Sequence, residues 1–169
     1  MKKNNSGMDP IIWGIVVITV IVFTGVIISA LTSKGTPIAN YKITDTERPS
    51  LEISERNFDF GKVKLNEIKI KDIEIKNTGN RLLIISDVLT SCDCTFAQFV
   101  IDGKESKRFS MQRDLKWRGE IQPNNIATLK IIYEPRLMPV KGNVSRSIFF
   151  KTNDPQNLSV NINFTAYIE

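Results

Sequence analysis

The stretch LSVNINFTAYI at residues 158–168 decides the fold of most of this chain. Apolar and polar residues alternate along its whole length. Successive side chains of a β-strand point to opposite faces of its sheet, so the alternation predicts a strand with one face in a core and one in water. The residues predicted to face inward are Leu158, Val160, Ile162, Phe164, Ala166 and Ile168.

Shorter segments of the same kind, separated by turn signals, lie upstream of this strand. They are residues 51–55, 57–63, 68–76, 81–89, 96–101, 107–111, 126–133 and 143–152. None of them has the period of an amphipathic helix. Seven to nine short strands in this length predict an all-β domain, an immunoglobulin-like β-sandwich over residues 51–169.

Three details of these strands are predicted from local sequence. The isoleucines change phase between Ile70 and Ile73, which predicts a bulge or a switch between sheets that keeps both pairs of isoleucines inward. Gly79, in the turn NTGN, is predicted to adopt a positive φ. Residues 96–101 and 107–111 are predicted to form a hairpin over DGKES.

The N-terminal region predicts a membrane anchor. Residues 10–33 carry no charge and are long enough, as a helix, to cross a hydrocarbon core of about 30 Å. Basic residues before this segment place residues 1–9 in the cytoplasm. The predicted arrangement is therefore a single-pass signal anchor in the cytoplasmic (inner) membrane, a linker at residues 34–50 and an extracytoplasmic domain. A signal peptide cleaved near ISA at residues 28–30 is the alternative.

Composition restricts the possible functions. The 169 residues include no histidine, so the usual general base and every serine–histidine or cysteine–histidine catalytic pair are excluded. We therefore predict that the protein is not an enzyme. The net charge of +5 comes from basic residues that are scattered and mostly alternate with acidic ones, so no nucleic-acid partner is predicted.

The only two cysteines, Cys92 and Cys94, stand one residue apart in TSCDCTF. In an extended strand both sulfurs would face one side, with the Cα atoms near the upper limit of about 6.8 Å for a disulfide, so a bridge would need a local turn. A soft-metal site for Cu(I) or Zn, with Asp93 or Met111 as further ligands, is a second interpretation. Buried thiols and an intermolecular disulfide are the others. Asp93 disfavours a thiolate beside it.

The ordered motifs NFDFGKV, IKNTGNRLLI, TSCDCT, IQPNNIATLKIIYEP and FFKTNDPQN resemble a bacterial envelope domain family of unknown function. The resemblance implies the fold of Hydin-type and major-sperm-protein-type immunoglobulin-like domains, and it implies no established activity. Two positions depart from the family pattern. Asp93 replaces the glycine between the cysteines, and Asn124 replaces the glycine of a Pro-Gly turn.

A basic and aromatic excursion follows the cysteines at residues 97–120. A possible partner patch is predicted there from Phe109, Arg113, Trp117 and Arg118. The alternative is that the aromatic residues pack over a sheet edge.

The function predicted from the sequence is a membrane-anchored binding or scaffolding module of the cell envelope. The lipid bilayer, at residues 10–33, and an envelope protein are its predicted partners, and no cofactor is expected. The alternative function is a tethered dithiol protein that exchanges disulfides or binds a soft metal, Cu or Zn, through Cys92 and Cys94.

Overall fold

The computed structural model of the protein describes residues 10–32 and 39–169. The predicted cytoplasmic residues 1–9 lie outside the described residues, and so do residues 33–38, where the predicted anchor ends and the predicted linker begins. The chain divides into two units, Met1–Pro37 and Ile38–Glu169.

The first unit contains one α-helix, α1, at Pro10–Thr32. The hydroxyl groups of Thr19 and Thr24 donate hydrogen bonds to backbone carbonyls one turn earlier, at 2.8 and 2.6 Å, so both polar side chains are satisfied within the helix. Among the described residues, no helix combines the length and apolarity that a bilayer crossing requires. The predicted helix is confirmed, and the predicted membrane crossing gains no support from the structure.

The second unit consists of ten strands. They are β1 Leu51–Ile53, β2 Asn57–Val63, β3 Lys69–Asn77, β4 Leu83–Thr90, β5 Thr95–Ile101, β6 Lys104–Glu105, β7 Arg118–Ile121, β8 Ile126–Tyr133, β9 Gly142–Thr152 and β10 Ser159–Ile168. A single 3-10 turn, Pro135–Leu137, follows β8. The count exceeds the predicted seven to nine because β6 and β7 are too short for their alternation to be visible in sequence.

The strands form two five-stranded sheets. One has the order β1-β3-β8-β5-β6 and the other β2-β10-β9-β4-β7. Neighbours are antiparallel except β2 and β10, which run parallel. Apolar side chains on the inner faces make one core, in which Phe99, Tyr133, Phe150 and Phe164 are fully buried. The predicted all-β sandwich is confirmed.

Strand β10 shows how well alternation predicted the core. The inward residues from Val160 to Ile168 are buried, as expected. Leu158 is exposed, because it precedes the strand and lies in the turn that joins β9 to β10. Strand β4, predicted as an interior strand, lies between β7 and β9.

The predicted bulge in β3 is wrong. Pairing with β8 runs without a shift from Lys69 opposite Tyr133 to Lys76 opposite Ile126. A straight strand with Ile73 inside must turn Ile70 outward, where it is 62% exposed. Lys69 and Lys71 lie on the same side of the strand as Ile73, and their ammonium groups reach solvent at the edge of the sandwich. The ammonium group of Lys71 lies 2.9 Å from the Glu55 carboxylate.

Two turn predictions also need correction. Gly79 is not among the positive-φ glycines of the described chain. It is required by space, since an added Cβ would lie 2.3 Å from the carbonyl oxygen of Arg48. The predicted hairpin turns at Asp102 and Gly103, both at positive φ, and its second strand is β6. Phe109, within the predicted second strand at 107–111, makes only an isolated bridge to Ala97.

The turn after β9 is bonded to the start of β1 through the side chain of Asp154. The Asp154 carboxylate is fully buried and accepts hydrogen bonds from the Leu51 amide at 2.9 Å and the Asn157 side chain at 2.7 Å. It also pairs with Arg48 at 3.4 Å. Residues at the end of the predicted linker 34–50 are therefore bonded to the domain and do not act as free spacer.

Candidate functional site

The two cysteines lie in the turn between β4 and β5. The expectation that they occupy an extended strand is wrong. The amide of Thr95 donates to the carbonyl of Cys92 at 3.1 Å, and the Thr90 hydroxyl lies within hydrogen-bond distance of the same carbonyl, at 3.0 Å. This turn reduces the Cα–Cα distance to 5.2 Å, and Cys92 and Cys94 form a disulfide. The local turn that a bridge required is thus present.

Two side chains from distant parts of the sequence contact the disulfide. The thioether sulfur of Met138, just after the 3-10 turn, lies 3.5 Å from Cys92 Sγ. The Arg146 guanidinium, on β9, donates through Nε to Cys94 Sγ at 3.4 Å. The cystine is nearly buried, with Cys92 4% and Cys94 0% exposed, whereas Met138 is 46% exposed. The methionine therefore lies between the cystine and solvent.

The charges next to the cystine differ from those expected. The sequence offered Asp93 as the nearest charge, but the group that contacts a sulfur is the Arg146 cation. A second cation, Arg108, pairs with Glu134 at 3.4 Å, and the Glu134 amide donates to the Cys94 carbonyl at 2.8 Å. Burial raises the pKa of Tyr133 above its ordinary value, and the positive charge of Arg146 opposes this shift. Because Glu134 neutralises Arg108, Arg146 is the cation that acts on the sulfur of Cys94.

Several exposed apolar residues lie at the same end of the sandwich as the cystine. We call residues 64–70, 91–94 and 135–141 together the cystine end. The strand register places them at one end of the sandwich, because the first residues of β3 and β5, Lys69 and Thr95, both pair with Tyr133 at the end of β8. The exposed apolar residues there are Ile68, Ile70, Leu137, Met138 and Val140. A cavity of about 240 Å³ lies beside Leu65 and Val140.

The structure does not bring the predicted partner patch together as one surface. Phe109 is 1% exposed and packs against Phe99 and Trp117, with ring centroids 6.4 and 4.7 Å apart. Trp117 also stacks on Phe99 at 5.4 Å. Arg113 is held by the Asp87 carboxylate at 3.3 Å. Of the four predicted residues, Arg118 on the edge strand β7 is the one with no ion pair or aromatic contact among the described residues. The two aromatic residues pack against the core.

The further metal ligands suggested by sequence are not assembled either. Among residues 10–32 and 39–169, no group of three His, Cys, Asp or Glu side chains is placed to hold a metal ion. Met111 is exposed, and its sulfur makes no hydrogen-bond-type contact with either cysteine sulfur in the described part of the chain. The sulfur that does contact it belongs to Met138.

Fold and site together define a class: a two-sheet immunoglobulin-like sandwich with a cystine in a strand-connecting turn. Residues 51–107, about a third of the chain, match the family described as "Protein of unknown function (DUF1573)". The matched segment includes the NFDFGKV, NTGN and TSCDCTF motifs. A search of functionally curated proteins gave no match.

One solved structure supports the fold, and a second is reported beside it. A protein of unknown function from Porphyromonas gingivalis W83 is similar over 74% of this chain, with a TM-score of 0.56 and 24% identity. This chain spans 49% of that protein's length. PapD-like domain 7 of human CEP192 is similar over 80% of this chain and 98% of its own, with a TM-score of 0.49 and 13% identity. At these identities the likeness concerns fold alone.

Proposed function

We propose that this protein is a membrane-anchored, extracytoplasmic binding module whose partner surface is the cystine end. The observation that carries the proposal is the number of exposed apolar side chains at the end of the sandwich that holds the cystine. Exposed apolar residues scattered singly need no explanation, but a cluster on connecting loops marks an interaction site.

The chemistry of this surface indicates a protein partner. Ile70 is the first residue of an apolar row that also contains Ile132 and Phe96. The three residues are paired in register on the adjacent strands β3, β8 and β5. Such a row on the outer face of an antiparallel sheet occupies positions where polar residues are usual. The complementary surface is an apolar patch on another envelope protein, bordered by polar groups that match a mixed-charge rim.

The anchor is proposed from the sequence. The support is the uncharged run at residues 10–33 together with the helical conformation of Pro10–Thr32. A rise of 1.5 Å per residue gives this helix a length of about 34 Å. Because no described helix met the requirements for a bilayer crossing, anchoring needs its own test, independent of the binding test.

The binding proposal is tested with charges placed on the apolar cluster. The full chain carrying Ile70→Glu and Val140→Glu is compared with Ile126→Glu at the opposite end of β8. The exposure of Ile126, 49%, lies between those of Ile70 and Val140, 62% and 41%. Both variants should melt within a few degrees of the native chain. The size of the complex extracted from the native envelope in mild detergent should fall only for the double variant. An unchanged complex in the double variant, or equal loss in the control, would contradict the proposal.

Disulfide exchange is a second candidate function, and the contact between Arg146 and Cys94 favours it. When an external thiolate attacks Cys92 Sγ, the S–S bond breaks and its electron pair passes to Cys94 Sγ as a thiolate, next to a cation that stabilises it. Arg146→Met should then shift the equilibrium with glutathione toward the disulfide. Equal equilibria for both chains would count against this function.

A further inference from the structure

We infer that the reduced cystine forms a three-sulfur site for Cu(I), with the thiolates of Cys92 and Cys94 and the thioether of Met138 as ligands. The inference goes beyond the proposed binding function and concerns three sulfur atoms of the cystine end. It starts from the 3.5 Å contact between Met138 Sδ and Cys92 Sγ, which places a third sulfur beside the pair.

Two backbone hydrogen bonds beside the cysteines do not involve the sulfur atoms. The Glu134 amide donates to the Cys94 carbonyl at 2.8 Å, and the Ser91 amide donates to the Ser147 carbonyl at 2.9 Å. With metal–sulfur bonds of about 2.3 Å, three sulfurs in a plane around one ion stand about 4 Å apart. The Cys92–Met138 distance of 3.5 Å is already close to this value, and rotation of the two cysteine side chains after reduction would separate their sulfurs.

The ligand set and the charge select Cu(I) among the common metals. Thiolate and thioether sulfurs are soft ligands, which suit Cu(I), and the chain has no histidine to favour Zn²⁺ or Cu²⁺. Two thiolates and Cu(I) carry a net charge of −1, which the Arg146 cation next to Cys94 balances. Two thiolates already neutralise Zn²⁺, so the same arginine would add an uncompensated positive charge.

The position of Met138 gives the ion a route to the cysteines. Its side chain is half-exposed, while both cysteine sulfurs lie beneath the surface. The neighbouring residues Leu137 and Val140 are apolar, and an apolar shell limits the access of water to a bound metal. A Cu(I) ion delivered at the surface would meet the thioether first and then the two thiolates.

Reduction comes before binding, and it requires a dithiol reductant. One thiolate of the dithiol attacks Cys92 Sγ and displaces Cys94 as a thiolate. The second thiol of the reductant then attacks the reductant sulfur that is bonded to Cys92, and Cys92 is released. The reductant leaves as a disulfide, and the protein holds two thiols. Binding of Cu(I) displaces the protons that these thiols still carry.

The test uses Cu(I) itself as the probe. The full chain in detergent is reduced, freed of reductant under anaerobic conditions and titrated with Cu(I) in competition with a coloured Cu(I) chelator. We expect one Cu(I) per chain, and X-ray absorption should show three sulfur ligands. Met138→Leu should lower the affinity at least tenfold and leave two sulfurs, with the number of reactive thiols unchanged. Met111→Leu, an exposed methionine elsewhere, is the matched control.

Three results would overturn the inference. One is no binding of Cu(I) by the reduced native chain, including the case in which it only forms mixed disulfides with glutathione. Another is equal affinity and equal sulfur coordination in the native and Met138→Leu chains. The third is tighter binding of Zn²⁺ than of Cu(I) at the same site. None of these results bears on the size of the complex that tests the binding proposal.

Discussion

Tyr133 is the largest fully buried side chain of the domain, and its hydroxyl has no hydrogen-bond partner among the described residues. A buried polar group without a partner costs about 1–3 kcal/mol. We therefore expect Tyr133→Phe to raise the free energy of unfolding by about 1 kcal/mol, measured by denaturant titration. A clearly less stable variant would show that the hydroxyl is satisfied.

The same residue predicts an effect of pH. The folded-state pKa of Tyr133 is raised by burial, so folding favours the protonated phenol. Its contribution to stability is fully present below the unfolded pKa of about 10 and is lost as the pH rises through the folded value. The Phe variant should lack this alkaline loss, so the two chains should diverge above about pH 10.

Gly79 has no room for a side chain. A Cβ there would lie 2.3 Å from Arg48 O and 2.5 Å from Ser50 N, both backbone atoms that cannot move aside cheaply. Gly79→Ala should cost about 2–3 kcal/mol by forcing these segments apart. Gly103→Ala, with a positive φ and open space, should cost only about 1 kcal/mol. Chemical denaturation of both variants decides, and equal losses would contradict the steric explanation.

The residue scale also shows where sequence reasoning stops. The pairing of Cys92 with Cys94 was among the alternatives because the two are neighbours in sequence. The contacts of Met138 and Arg146 with them were not foreseen, since these residues are 46 and 52 positions away from the sulfurs they touch. Contacts of this kind depend on strand register and on a loop conformation, and the local hydrophobic periodicity predicts neither of them.

At the scale of elements, the junction between the β9–β10 turn and β1 holds the sandwich together at one end. While fully buried, the Asp154 carboxylate accepts three hydrogen bonds and pairs with the Arg48 cation. The donors are the amides of Leu51 and Gln156 and the side chain of Asn157. Asp154→Asn replaces one accepting carboxylate oxygen with an NH2 group, which then faces another donor. We expect this change to lower the free energy of unfolding by about 2–3 kcal/mol. Glu52→Gln on the exposed side of β1 is the control and should be neutral. Equal melting temperatures for both variants would contradict the claim that Asp154 stabilises this junction.

Element prediction succeeded where one phase of alternation spans a whole strand. The bounds of β2 and β8 were predicted without error, and those of β9 and β10 to within one residue. It failed in β3, because isoleucines occupy both phases and hydrophobicity alone cannot say which pair is inside. It also missed β7, whose four residues include two charges and a glycine.

At the scale of the whole molecule, membrane anchoring is tested by alkaline extraction of native membranes. The native chain should stay in the membrane pellet. Val20→Arg with Ile21→Arg should release it, because an arginine at a helix centre costs about 2.5–3.5 kcal/mol on the insertion scale. Ile43→Arg with Thr44→Arg, outside the helix, should change nothing. Extraction of the native chain would contradict the anchor, and a mature N-terminus after Ala30 would indicate a cleaved signal.

The central claim, that the cystine end is a partner surface, is tested most directly by site-specific photocrosslinking in the native envelope. A photoreactive phenylalanine analogue is placed at Ile70 and at Val140, with Ile126 and Arg118 as positions away from the surface. We predict the same crosslinked partner from Ile70 and Val140 and none from the other two. Crosslinks only from Arg118, or equal crosslinking from all four positions, would contradict the claim.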